Sequence, residues 1–116
     1  MRILIGAVAM VLLAGCTTPA MNEARSKSPY KTLSSNKPEK VVAQCIQFAW
    51  QDESVFGVDA GAFMQPGEPG GYTVYTTGAQ YFVDVQSTAS GTTTNYYAAS
   101  DSWVAKRRLA ALATCL

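Results

Sequence analysis

Residues 72–98 read YTVYTTGAQYFVDVQSTASGTTTNYYA, and this stretch decides the fold. Tyr72 to Thr77, Gln80 to Gln86 and Thr92 to Ala98 are rich in Tyr, Thr, Val and Phe, the residues that suit a half-buried pleated surface. Gly78-Ala79 supplies a hairpin turn between the first two runs, and Ser87 to Gly91 a second turn. Connections this short join antiparallel neighbours. Side chains alternate along a strand, so Tyr81, Val83 and Val85 share one face and Phe82, Asp84 and Gln86 the other. The first set is apolar and belongs on a covered side. The second has the mixture of a wet face with a binding anchor. Phe82 is therefore predicted to be an exposed anchor, aided by whichever of Tyr96 or Tyr97 lies across from it.

Upstream, Gln65 to Gly71 is a Pro/Gly turn. Val55 to Val58 and Ala60 to Met64 are short and broken by glycine, so an edge strand or a loop is expected there. A helix is predicted from Lys37 to Gln51. Asn36 stands as its N-cap, Pro38 in its first turn, and Glu39 three residues on, as in a capping box. Val42, Cys45, Ile46 and Ala49 form its inward stripe, widened by Val41 and Phe48, with Trp50 at the edge. A last helix is predicted from Ser102 to the C-terminus, capped by Ser100 or Asp101. Val104, Arg108, Ala111, Leu112 and Cys115 line one side. The Lys106-Arg107-Arg108 run is read as its wet face, where long stems cover apolar surface. Helix, three or four antiparallel strands, helix is an α+β domain spanning residues 37–116, with both helices on one sheet face.

The N-terminal end carries a different message. Arg2 gives a short positive start, and Ile3 to Ala14 is an almost unbroken apolar run. A spanning helix needs about 20 apolar residues, so this run fits the hydrophobic region of a signal peptide covering residues 1–15. It ends in Leu13-Ala14-Gly15-Cys16, which resembles the lipobox of bacterial lipoprotein precursors. In that family the cysteine thiol takes a diacylglyceryl group, a dedicated peptidase cuts before it, and the mature cysteine carries three acyl chains. The resemblance implies that Cys16 is the lipidation site and that the membrane is a partner through the N-terminal lipid, since two or more chains anchor stably. In the enteric sorting rule Asp after the cysteine retains a lipoprotein in the inner membrane. Thr17 and Thr18 follow here, which implies the outer membrane, with the domain in the periplasm. Thr17 to Asn36 (TTPAMNEARSKSPYKTLSSN) is polar and without clear periodicity, so residues 16–36 are expected to form a lipidated flexible tether, spanning about 25 Å r.m.s..

Three cysteines are present, and the lipobox takes Cys16. Cys45 and Cys115 remain, each on the apolar stripe of its own helix, in a compartment that permits disulfides. Two helices on one sheet face bring those stripes together, and a bridge between them is predicted. It would be worth about 4 kcal/mol in the chain-entropy model. Neither cysteine sits in a CxxC pair, which weighs against a redox pair.

Composition narrows the chemistry. Nine Lys and Arg stand against eight Asp and Glu in 116 residues, and loss of Arg2 with the leader would balance them. Such a chain has no electrostatic footprint for nucleic acid. There is no histidine, which removes the commonest general base and the usual zinc ligand. With Lys37, Lys40 and Lys106 as the domain's lysines, only a Ser-Lys arrangement could activate a nucleophile, and no serine stands in a recognisable signature. Asp52, Glu53, Asp59, Glu68, Asp84 and Asp101 are available for a glycosidase pair, but the first four lie at element ends or loops and read as solubilising and capping groups. No cofactor and no metal site is expected. The unusual feature is aromatic: Tyr72, Tyr75, Tyr81, Phe82, Tyr96 and Tyr97 fall on three consecutive strands. Rigid amphipathic tyrosines suit partner recognition, while the plain alternative is cross-strand packing.

Thr77-Gly78-Ala79-Gln80-Tyr81 is similar to the Ser-Gly-Ala-x-Tyr stretch of periplasmic lysozyme-inhibitor lipoproteins. Those proteins are all-β barrels, whereas helices flank the strands here. The expected function is therefore a non-enzymatic, outer-membrane-anchored lipoprotein that binds an envelope protein or serves as an accessory module of an envelope assembly. A lysozyme inhibitor and a structural spacer are the alternatives. Replacing Cys16 by Ser is expected to leave the precursor uncut by the lipoprotein peptidase and to abolish incorporation of labelled palmitate. Continued labelling of that variant would sink the lipobox reading.

Overall fold

The three runs between Tyr72 and Ala98 form the centre of a five-stranded antiparallel sheet in the computed structural model, which describes residues 18–57, 61–67 and 70–116. In chain order the elements are α1 (Thr18–Arg25), β1 (Lys31–Ser35), α2 (Glu39–Asp52), a 3₁₀ turn (Glu53–Phe56), β2 (Ala62–Pro66), β3 (Tyr72–Thr76), β4 (Tyr81–Thr88), β5 (Gly91–Ala98) and α3 (Trp103–Ala113). The strand order is β1-β5-β4-β3-β2. The fold is α+β, with the helix, the sheet and the C-terminal helix in the expected order. The proposed leader, with Cys16 and Thr17, lies outside the described residues, as do Val58, Asp59, Ala60, Glu68 and Pro69.

Strand parity holds on the covered side. Val74, Val83, Val85 and Tyr96 are fully buried in one cluster with Val42, Ala43, Ile46, Trp50 and Leu112 of the helices. Tyr96 donates its hydroxyl proton to the Ala105 carbonyl of α3 at 2.9 Å, and burial raises its phenol pKa above the ordinary value. Cys45 and Cys115, 70 residues apart, are bridged. Further along the seam Trp50 Nε1 donates to the Arg108 carbonyl at 2.9 Å, while Arg108 Nη1 donates to the Trp50 carbonyl at 2.8 Å. Contacts 45–115 and 50–108 advance along α2 as they recede along α3, so the two helices run antiparallel.

Four expectations are corrected. Arg108 is not on a wet face: it is 1 % exposed, with its guanidinium 5.6 Å from the Trp50 ring centroid and 6.0 Å from that of Tyr81. Charged nitrogens facing a carbonyl and ring faces make that burial tolerable. Val41 and Phe48 are exposed, because the sheet contact is made by the narrower stripe of Val42, Ala43, Ile46 and Trp50. Asn36 does not cap α2; Pro38 occupies that position. The Ser35 hydroxyl takes the Lys37 N–H and the Lys37 carbonyl accepts from Thr92 Oγ1, which pins this turn to the sheet instead. Likewise Ser102, not Ser100 or Asp101, caps α3 by accepting from Ala105 N, and Asp101 accepts the Tyr30 hydroxyl.

The largest difference lies before residue 37. The stretch assigned to a flexible tether contains α1 and β1, and β1 pairs with β5 from Lys31↔Tyr96 to Ser35↔Thr92. This strand carries one aliphatic side chain, Leu33, so no alternation marks it. Its backbone is satisfied by β5, by Thr94 Oγ1 donating to the Leu33 carbonyl, and by Tyr30 N donating to the Tyr96 carbonyl. Gly91 has φ of 149°, and a Cβ there would run into the Ser35 carbonyl oxygen. The close approach of β1 thus requires a glycine at the start of β5.

Cys45→Ala with Cys115→Ala is expected to lose about 4 kcal/mol in denaturant unfolding, the chain-entropy value for so long a loop. Non-reducing alkylation of the folded wild type should modify neither cysteine, and two alkylated thiols would contradict the bridge.

Candidate binding face

The face away from α2 and α3 is built by the other strand parity. Phe63, Tyr75, Phe82 and Tyr97 are register partners in turn across β2, β3, β4 and β5. Four aromatic residues therefore cross the sheet in one row. At one end Phe82 and Tyr97 stack with centroids 4.6 Å apart and planes 14° apart. At the other, Phe63 and Tyr75 lie 5.5 Å apart with a tilt of 36°. The next row along the strands is polar: Gln65, Thr73, Asp84, Asn95 and Thr32.

Helix α1 covers the Phe82 end. Arg25 Nε and Nη2 each donate to an Asp84 carboxylate oxygen at 2.7 Å, a bidentate pair. Arg25 Nη2 also donates to Thr73 Oγ1, whose own proton goes to Asp84 Oδ1 at 2.7 Å. Nη1 donates to Asn22 Oδ1 one helical turn back at 3.0 Å, which fixes the side chain before it reaches the sheet. The guanidinium carbon sits 5.1 Å from the Phe82 centroid. Hydrogen bonding to Asp84 raises the Arg25 pKa from its ordinary value, against the opposing effect of burial. Four residues before Arg25, on the same side of the helix, Met21 is 1 % exposed.

Phe82 is consequently not an exposed anchor. Parity places it on the correct face, but it is 1 % exposed, because α1, in a stretch whose sequence reads as a flexible tether, lays Arg25 over its ring. Tyr96 points to the helix side and is fully buried. Of the three residues predicted to bind, Tyr97 alone keeps partial exposure, beside a cleft of about 280 Å³ shared with Lys27 and Tyr30. Burial, and next the charge of Asp84, raise the Tyr97 phenol pKa. The open part of the row is Phe63, 47 % exposed, with Tyr75 half-buried beside it. Neither was singled out from the sequence as an anchor: Phe63 lies in a short run next to glycine, and Tyr75 was one tyrosine among several. Register across β2 and β3 was the missing information.

Several carboxylates weighed for chemistry have structural partners. Asp84 holds Arg25, Glu53 accepts from Arg107 Nε at 2.9 Å, and Asp101 accepts from the Tyr30 hydroxyl at 2.8 Å. Among the described residues no three His, Cys, Asp or Glu side chains gather as a metal site would require. The Thr77–Ala79 turn has positive φ at Gly78 and Ala79, and Thr76 Oγ1 closes it by donating to the Tyr81 carbonyl and accepting from Tyr81 N. It joins two strands of an open sheet with edges at β1 and β2, unlike the closed barrel of the lysozyme-inhibitor proteins. Comparison with known proteins finds no matching family model, no matching curated protein and no matching solved structure.

Truncating a buried aromatic typically costs 3–5 kcal/mol, whereas exposed positions usually stay within about 0.5 kcal/mol. Phe82→Ala is therefore expected to destabilise by about 3–5 kcal/mol and Phe63→Ala by less than about 1 kcal/mol, read by denaturant melts. Equal losses would mean that the row is buried along its whole length.

Proposed function

We propose that this chain is a lipoprotein anchored to the outer membrane through Cys16, with a non-enzymatic periplasmic domain that docks another envelope protein. The observation that carries the docking part is the open end of the aromatic row. Phe63 is a large apolar side chain left about half exposed on a rigid strand, with Tyr75 packed against it. Rigid aromatic rings on a sheet lose little freedom when a partner covers them, which is why such residues dominate interface energetics. The address is supported by the Leu13-Ala14-Gly15-Cys16 sequence and by the Cys45–Cys115 bridge, which suits an oxidising compartment. Among the described residues no helix is long and apolar enough to cross a membrane.

A structural spacer needs no such side chains, and the open sheet gives the lysozyme-inhibitor alternative no barrel on which to rest. Crosslinking from intact cells, followed by purification of wild type and Phe63→Ala in parallel, tests the reading. One stoichiometric envelope protein is expected with the wild type and at least a tenfold loss of it with the variant, which corresponds to about 1.4 kcal/mol of binding. Recovery of added lysozyme by both proteins would turn the assignment to an inhibitor, and recovery of nothing to a spacer.

A further inference from the structure

We infer that α1 is a docked arm that holds the domain directly against a phospholipid surface, and that the Arg25–Asp84 pair is the latch that keeps it docked. The inference rests on the lipoprotein reading and adds a distance and an orientation to it. Cys16 precedes Thr18, the first residue of α1, by two residue steps. Two steps of extended chain span at most about 7 Å. Acyl chains on Cys16 therefore place the N-terminal end of α1 within about 7 Å of the glycerol and headgroup level. Pro19 and Ala20 are exposed at that end and uncharged.

What makes this an attachment of the whole domain is the docking of α1 at its other end. Met21 is buried, and Arg25 reaches Asp84 by two bonds of 2.7 Å and lies over Phe82. The arm cannot swing while those contacts stand, so the sheet is held at one distance and in one orientation. Freed from the sheet, residues 17–30 would form a leash up to β1, spanning about 20 Å r.m.s.. Loss of the latch thus replaces a link of at most about 7 Å to a docked arm by a leash of about 20 Å r.m.s. to β1. Among the described residues the arm is held by the buried Met21, the bidentate Arg25–Asp84 pair, the Arg25–Thr73 hydrogen bond and the Phe82 ring face. They are partly solvated, with side-chain exposures of 28 % for Arg25 and 15 % for Asp84.

Full-length protein purified from bacterial membranes, with its triacylated mass confirmed, is placed in a supported bilayer of phosphatidylethanolamine and phosphatidylglycerol and studied by neutron reflectometry. Wild type is expected to show a protein layer in contact with the headgroups. Arg25→Ala with Asp84→Ala should open a solvent layer of about 20 Å between bilayer and domain, while circular dichroism verifies that the variant is folded. The charge exchange, Arg25→Asp with Asp84→Arg, should close that layer again and so separates the latch from general loss of structure. A solvent layer of the same depth under the wild type overturns the docked arm and leaves the lipoprotein reading intact. An unacylated mass for the wild type overturns both, and is recognised before any reflectivity is recorded.

Discussion

The exchange of hydrogen bonds between Trp50 and Arg108 is the constraint on which the rest of this structure depends. A guanidinium in a site 1 % exposed costs several kcal/mol in lost hydration unless its surroundings replace the water. Here the Trp50 carbonyl accepts from it, and the Trp50 and Tyr81 rings flank it. The indole N–H, which would otherwise be a buried donor without an acceptor, goes to the carbonyl of the same arginine. Neither residue can be placed without the other. Together they fix the antiparallel seam of α2 and α3, whose buried residues share one cluster with Val74, Val83 and Val85. The disulfide acts on the same seam from the other side of the equilibrium, by restricting the unfolded chain.

The two faces of the sheet are covered by different physics. Toward α2 and α3 the cover is largely apolar and continuous, a single cluster from Val42 to Cys115 that includes Trp50 and Tyr96. Toward α1 it is aromatic and electrostatic, and it is discontinuous: Phe82 is sealed beneath Arg25 while Phe63 is open. Burial of many aliphatic groups gives a cover that opens only with global unfolding. A cover held mainly through Arg25, on Asp84, Thr73 and the Phe82 ring, and through Met21 belongs to the low-stability end of the local opening spectrum. The second face is accordingly where this molecule can exchange one contact for another.

How much of this was legible depended on whether a pattern was carried by side chains or by backbone. Period-two alternation at Tyr81 to Gln86 assigned the two faces correctly, and the helical stripes of Cys45 and Cys115 brought the cysteines together. Strand β1 was illegible because its pairing is carried by main-chain bonds and by hydroxyls of Thr and Ser, residues equally at home in a loop. Helix α1 was illegible because eight residues with one large apolar side chain make no stripe. Its determinant Arg25 has meaning only opposite Phe82 and Asp84, more than 50 residues away in sequence. That single omission produced the error at Phe82. Arg108 was misread for a related reason: a basic run suggests solvent, and the acceptor that brings this member of the run inside is a distant main-chain carbonyl.

The row of four aromatic residues joins the open end of the face to the covered one. Tyr75 is the register partner of Phe82, so a molecule seated on Phe63 and Tyr75 ends where α1 begins. Arm and partner then share a boundary, and shared boundaries produce coupling. A partner long enough to run on to Phe82 must displace Arg25, and pays with the contacts the arm loses. One that stops at Tyr75 leaves the arm in place. By reciprocity, whatever free energy the docked arm subtracts from such a longer partner, that partner subtracts from the docking of the arm. The reach of the domain from its N-terminal attachment and the length of the surface it can offer are therefore two expressions of one contact, Arg25 with Asp84 over the face of Phe82.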